Sequence, residues 1–284
     1  MMVLELITTP EKAERRPWDM LFIGAMYAAI AVFLAIWVFK EESSIVTILL
    51  TVIACIPLLY NTLKFEEEKD DAIAKESILL REHSRALSFF MFLFVGFVLA
   101  YSLAYIVLPS PLVETLFRAQ TATIERINGE ITGNVGVSAQ LFLQILGNNL
   151  KVLFFCLFFS FFYGAGAIFV LTWNASVISA AVGNFFRTHL GEYATSLGFA
   201  RVGEYFQVYS MSLFRYFIHG IPEILGYYIG ALAGGIISVA VVKHDLGSAT
   251  FKHVLRDSFD LIALGIAVLI VAAFVEVFIT PLLF

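Results

Sequence analysis

Arg215, His219, Glu223 and Tyr227 recur at four-residue spacing in a segment that is otherwise largely apolar. On an α-helix, residues four apart share one face. A guanidinium, an imidazole, a carboxylate and a phenol would therefore line a single stripe. Pro222 lies within the stripe and removes the hydrogen bond to the Ile218 carbonyl, while Gly220 leaves room for a neighbouring backbone. A broken or kinked helix is expected at His219–Glu223. A second carboxylate, Glu276, is the only ionisable residue of the stretch Leu261–Phe284 and is followed by Thr280-Pro281.

Three kinds of chemistry fit these residues. His219 and Glu223 from one helix and Glu276 from another could hold a divalent ion such as zinc, with Asn174 or water completing the shell. The same groups could relay protons or line a cation pathway. They could also form a buried polar network that locks two helices together, with Arg215 paired to Glu223. The polar intramembrane set is Arg215, Asn174 and Tyr227 beside the three candidate ligands. Asn148-Asn149, Gly164 and Gly166 precede or line the preceding apolar stretch. The asparagines are read as backbone caps at its outer end, and the glycines as sites of close helix packing.

Familiar catalytic signatures are missing. There is no His-Glu-x-x-His, Walker loop, Gly-x-Ser-x-Gly or Cys-x-x-Cys. Cys55 and Cys156 are single residues within apolar runs and read as small buried hydrophobes. His83, His189, His244 and His253 are expected in solvated loops. No catalytic residue is assigned, and a non-enzymatic role is favoured.

The elements that must position these groups follow from composition. Of 284 residues, 60% are hydrophobic, 14% are charged and 29 are Phe, with a mean hydropathy of +0.87. A soluble domain carries about a quarter charged residues, so the excess apolar surface must face lipid. A net charge of −5 excludes a strongly basic nucleic-acid binder. The expected fold is all-α, a polytopic transmembrane helix bundle with about six spans. Each needs about 20 apolar residues to cross a core about 30 Å thick. The segments are Trp18–Phe39, Ser44–Leu63, Ser88–Leu108, Leu150–Trp173, Gln207–Val242 and Phe259–Leu283. One integral membrane domain covers 1–284, with a three-span part (1–110), an amphipathic interfacial segment (111–147) and a motif-bearing part (148–284).

Lys40-Glu41-Glu42-Ser43 leaves room only for a tight helical hairpin, and Lys64–Ala86 reads as a solvated helical hairpin. Pro109 and Pro111 end the third span. Leu112–Ile127 then has amphipathic spacing, and Asn128-Gly129, Gly133-Asn134 and Gly136 signal turns. With an even number of spans, Lys and Arg place both termini in the cytoplasm. Arg187 and Arg201 then fall inside, while Lys40, Arg118, Arg126, Lys243, Lys252 and Arg256 fall outside.

The ordered elements Asn148-Asn149-Leu150, Tyr163-Gly164-Ala165-Gly166, Asn174, His219-Gly220-Ile221-Pro222-Glu223 and Glu276-Val277-Phe278-Ile279-Thr280-Pro281 resemble the stage II sporulation protein M family. The resemblance covers Gln144 to Phe284, and Asn174-Ala175 stands where the family usually has Asn-Gly. It implies a multi-pass plasma-membrane protein. In spore-forming bacteria such proteins anchor cell-wall hydrolases during engulfment. The expected partners are membrane lipids, other membrane or envelope proteins and a second copy, in a homodimer formed through the Gly-rich spans. The role expected here is a scaffold or partner-binding membrane component. The rival is a transporter-like or metal-dependent protein working at His219, Glu223 and Glu276.

Overall fold

A computed structural model describes residues 9–72, 76–132, 138–160, 165–193, 199–243 and 247–283. Among the described residues the elements are all helical. A short α1 (Pro10–Arg15) is capped by Thr9 and opens on proline, which suits a first turn whose N–H has no helical partner. It leads into α2 (Asp19–Val38). A 3₁₀ turn at Lys40–Glu42 forms the expected tight connection to α3 (Ser43–Ala72). Then follow α4 (Glu76–Val107), α5 (Ser110–Leu116) and α6 (Arg118–Thr132). The chain continues as α7 (Ser138–Ser160), α8 (Ala165–Tyr193) and α9 (Phe199–Lys243). It closes with α10 (Ala249–Phe274), a π-helical turn at Val275–Ile279 and α11 (Thr280–Leu283).

Seven helices among the described residues are long and apolar enough to cross a membrane: α2, α3, α4, α7, α8, α9 and α10. The stretch Leu150–Trp173 is not one span but the end of α7 and the start of α8. Hydropathy stays high through the connection, so periodicity alone reads two helices as one. Asn174 accordingly lies inside α8 instead of ending a helix, and Asn148 and Asn149 lie inside α7 instead of capping one. Asn128-Gly129, expected as a turn, continues α6. Gly133, Asn134, Gly136, Tyr163, Gly164 and His244 lie outside the described residues.

Contacts fix which ends meet. Lys69 near the end of α3 pairs with Glu14 of α1, and Lys243 at the end of α9 pairs with Glu67 of α3. At the other end of the bundle, Arg187 of α8 donates to the carbonyls of Ile106 (3.3 Å) and Leu108, where α4 stops. Pro109 and Pro111 cannot continue α4, and a basic side chain satisfies the carbonyls that this leaves. Thr280 meets His219 on α9, about 36 Å of helix from Lys243 at 1.5 Å per residue. Pro10 and Leu283 therefore lie at opposite ends of the bundle. Seven membrane-length apolar helices thus stand among the described residues where about six spans are expected.

Small residues let the helices close up. At Gly24 and Gly96 a methyl group would run into the backbone of Leu93 and of Leu21, respectively. Gly226 and Gly265 bring α9 against α10, where a Cβ on either would meet the other's carbonyl oxygen at 3.2 Å. Close backbone approach of this kind is how helices gain packing where lipid is as apolar as the side chains. These glycines bring helices together within one chain. The core they enclose is aromatic, with Tyr101, Phe94, Phe97 and Tyr227 almost fully buried. Tyr101 shares a 2.6 Å hydrogen bond with Thr51.

The amphipathic segment forms a cap. On α6, Gln120 is buried and receives a hydrogen bond from the Ser44 hydroxyl at 2.8 Å. Its amide donates to Ser176 of α8 at 3.2 Å. One amide thus ties the cap to two spans.

Candidate functional site

The stripe on α9 forms as its spacing requires, but the helix is not broken. It runs continuously from Phe199 to Lys243 with Pro222 inside. Proline removes only one donor, and tight neighbours hold the turn, as proline-bearing membrane helices commonly show. The irregularity lies across the contact, in the π-helical turn that carries Glu276. Pro281 cannot donate to Val277 in α-helical register. The Thr280 N–H bonds instead to the Val275 carbonyl, five residues back, and its hydroxyl donates there at 3.2 Å. Such turns concentrate at functional positions.

Tyr227 donates its phenol hydrogen to Glu223 Oε1 at 2.6 Å. His219 Nδ1 stands 3.4 Å from the Thr280 hydroxyl, linking α9 to α11. Glu276 lies within Coulombic reach of Glu223. His219, Glu223, Tyr227, Glu276 and Thr280 therefore share one neighbourhood. The neighbourhood lies towards the end of the bundle away from Glu14 and Lys243, not towards theirs. Arg215 does not pair with Glu223. Its guanidinium lies over the Phe185 ring, 5.6 Å from the centroid. Asn174 does not join the group either, since its amide donates to Val170 one turn back at 2.8 Å. Gly220 admits no neighbouring backbone; a Cβ there would meet only Ile178 Cδ1, at an ordinary 3.7 Å.

One unbroken helix through Leu150–Trp173 would hold Asn149 far from Asn174. With α7 and α8 separate, that constraint disappears. Asn149 is buried on α7, which packs on both α9 and the π-helical turn. Its Nδ2 has no hydrogen-bond partner. Leu153, one turn further along α7, packs where Gly230 leaves room, which sets Asn149 near the Gly226 level of α9. Among the described residues, no three of His, Cys, Asp and Glu come together in a way that could hold a metal ion. The geometry is that of a polar cluster where α7, α9 and the π-helical turn pack, with hydrogen bonds within α9 and from α9 to α11.

A second cluster escaped the sequence reading. His83 is not solvated. It lies on α4 with its side chain 2% exposed, and its Nδ1 is 2.6 Å from Glu66. Lys69 donates to Glu66 at 2.7 Å and to both oxygens of Glu14 at 2.7 and 2.9 Å. Glu66 and Glu67 are fully buried. The solvated-hairpin reading of Lys64–Ala86 thus fails at Glu66, Glu67 and His83. A signal was present: the buried face of α3 runs through Leu59 and Leu63, and helical spacing carries it on to Glu66 and Glu67. His189 and His253 also lie on helices, the first stacked on Phe185 at 4.1 Å and the second 3.0 Å from Asp257.

A helix bundle with seven membrane-length apolar helices and a polar core among them defines an integral membrane protein. The profile of Stage II sporulation protein M matches residues 86–281, most of the chain, and the chain belongs to that family. Searches of curated proteins and of solved structures found no match. The match begins in α4 and includes Asn149, His219, Glu223 and Glu276, but leaves out α1, α2 and α3.

Proposed function

We propose that this chain is a non-enzymatic scaffold or partner-binding component of the plasma membrane. The observation that carries the reading is that the polar groups of the core face one another within the chain. Glu223 takes the Tyr227 hydroxyl and His219 meets Thr280, which suits helix locking better than turnover. A docking face is available as well. The 45-residue α9 is about 67 Å long at 1.5 Å per residue, roughly twice the bilayer core. Towards its start it exposes Phe206 at 73% and Phe214 at 65%. A photo-crosslinking residue in place of Phe206 or Phe214, activated in native membranes, is expected to give one discrete protein adduct. Adducts with lipid alone would overturn the reading.

Orientation belongs to the same proposal. With seven crossings and the α1 end in the cytoplasm, Lys243, Lys252 and Arg256 move to the inner side while Arg187 and Arg201 move outside. The inner excess of Lys and Arg grows, as the positive-inside rule favours.

A second reading is a transporter-like or metal-dependent site at His219, Glu223 and Glu276. The π-helical turn at Glu276 supports it, because irregular backbone beside buried carboxylates is a recurrent feature of ion pathways. Metal analysis of the purified protein separates the two readings. Stoichiometric zinc, lost in both His219→Ala and Glu223→Ala, would establish the second and remove the first.

A further inference from the structure

The ionic chain at the inner end links three elements through groups that lipid and protein both shield. Its members are Glu14 on α1, Glu66 and Lys69 on α3, and His83 on α4. Side-chain exposures are 7% for Glu14, 11% for Lys69, 0% for Glu66 and 2% for His83. Lys69 sits between the two carboxylates, and His83 closes the chain on the far oxygen of Glu66. Two carboxylates and one ammonium, counted without a proton on His83, sum to an excess negative charge. An uncompensated buried charge is costly, and one proton added to His83 or Glu14 removes it. The neighbouring Glu67 answers Lys243 of α9 at 2.8 Å and extends the network to a fourth element. On the faces turned outwards, Arg85 pairs with Glu82.

We infer that Glu14, Glu66, Lys69 and His83 form a single-proton site whose occupancy decides whether α1 stays docked on α3 and α4. Docked, Glu14 lies against Lys69 and Glu66, and the proton neutralises the set. Released, Glu14 returns to water and gives its proton up, while Glu66 and Lys69 remain as a balanced pair. Docking is therefore coupled to proton uptake. The environment of Glu14 agrees: burial, reinforced by the neighbouring Glu66, pushes its carboxyl from the ordinary 4.5 up to about 7. The pull of Lys69 works in the other direction and is outweighed. A group bound more tightly to its proton in the docked state favours docking at low pH. That advantage is lost as pH rises through the docked-state value.

Hydrogen exchange of the α1 amides in the full-length protein, held in nanodiscs, tests this. After correction for intrinsic exchange, protection is expected to fall by about tenfold or more between about pH 6 and about pH 8.5. Glu14→Gln, which mimics the protonated acid, should keep α1 protected at both values. His83→Gln, which keeps the ring position polar but holds no proton, should shift the transition to lower pH. Melting of the bundle, followed in the same samples, separates release of α1 from general unfolding. Protection that is equal at both pH values in the parent protein, or a Glu14→Gln variant that retains the full pH response, overturns the proposal.

Discussion

Tyr227 and Glu223 occupy successive turns of α9 and share a 2.6 Å hydrogen bond in which the phenol is the donor. Tyr227 has no exposed surface and Glu223 is half-buried, so the phenol cannot turn to water when its partner is lost. Tyr227→Phe deletes the donor and keeps the ring. It is expected to lower stability by about 1–3 kcal/mol, the cost of leaving a buried polar group unsatisfied. Glu223→Gln keeps an acceptor for the phenol and should cost less. Thermal unfolding of the purified protein in detergent measures both, and equal losses would show that the bond contributes nothing particular.

Glycines divide by what a methyl group would meet. Gly24→Ala and Gly96→Ala each drive a Cβ into main chain of the neighbouring helix, at Leu93 and Leu21. Backbone cannot rotate away as a side chain can, so α2 and α4 must separate. Each substitution is expected to cost about 1–3 kcal/mol, the range for an overpacked contact. Gly220→Ala meets only Ile178 Cδ1 at 3.7 Å and should be neutral or slightly stabilising, since alanine is the better helix former. A Gly220→Ala variant that melts as early as Gly96→Ala would refute this division.

Gln120 carries the contact between the α6 cap and the long helices. Its side chain is 1% exposed and bonds both Ser44 and Ser176. Gln120→Leu fills similar space but removes the acceptor of the buried Ser44 hydroxyl and one of two partners of the Ser176 hydroxyl, which keeps its bond to the Trp173 carbonyl, and a loss of about 1–3 kcal/mol is expected. The loss should appear first as faster proteolysis of α6, before any change in the spans. Proteolysis unchanged from the parent protein would show that the cap is held by apolar contacts alone.

Much of this architecture was legible in the sequence because lipid imposes simple rules. Apolar length located α2, α3, α4, α9 and α10, and four-residue spacing aligned His219, Glu223 and Tyr227. The division of α7 from α8 was not legible, because the residues around the connection are as apolar as the helices. The continuity of α9 through Pro222 depends on packing by other helices, which no local rule supplies. The ionic chain was hidden for a related reason. Glu66 and His83 lie 17 positions apart, and only the antiparallel return of α4 beside α3 brings them together. A charge-rich sequence normally means solvent; here Lys69 and the fold of α1 make burial tolerable.

The pH dependence of overall stability has a definite sign from Glu14. Its carboxyl is held near 7 in the folded protein against an ordinary 4.5, so the folded state binds this proton more tightly than the unfolded one. Stability from this group is complete below the unfolded value and is lost as pH rises through about 7. The difference between the melting temperatures of the parent protein and Glu14→Gln should therefore change across pH 5–8, with the parent falling relative to the variant. A difference that stays constant over that interval would show that Glu14 titrates as it does in water.

The seven-helix arrangement makes a prediction that the six-span reading opposes. Thr9 caps α1 at one end of the bundle, and Leu282, 84% exposed, lies beyond the π-helical turn at the other. The native cysteines are both buried and unpaired, so Cys55→Ala and Cys156→Ala should give a silent background. In that background Thr9→Cys and Leu282→Cys are expected to react with a membrane-impermeant maleimide from opposite sides of sealed vesicles. Thr9→Cys should react only when the cytoplasmic face is outward, and Leu282→Cys only when it is inward. If both react from the same side, one of the seven helices does not cross the membrane. The connection between α7 and α8 would then be the place to look, because a single crossing shared between those two helices restores the even count.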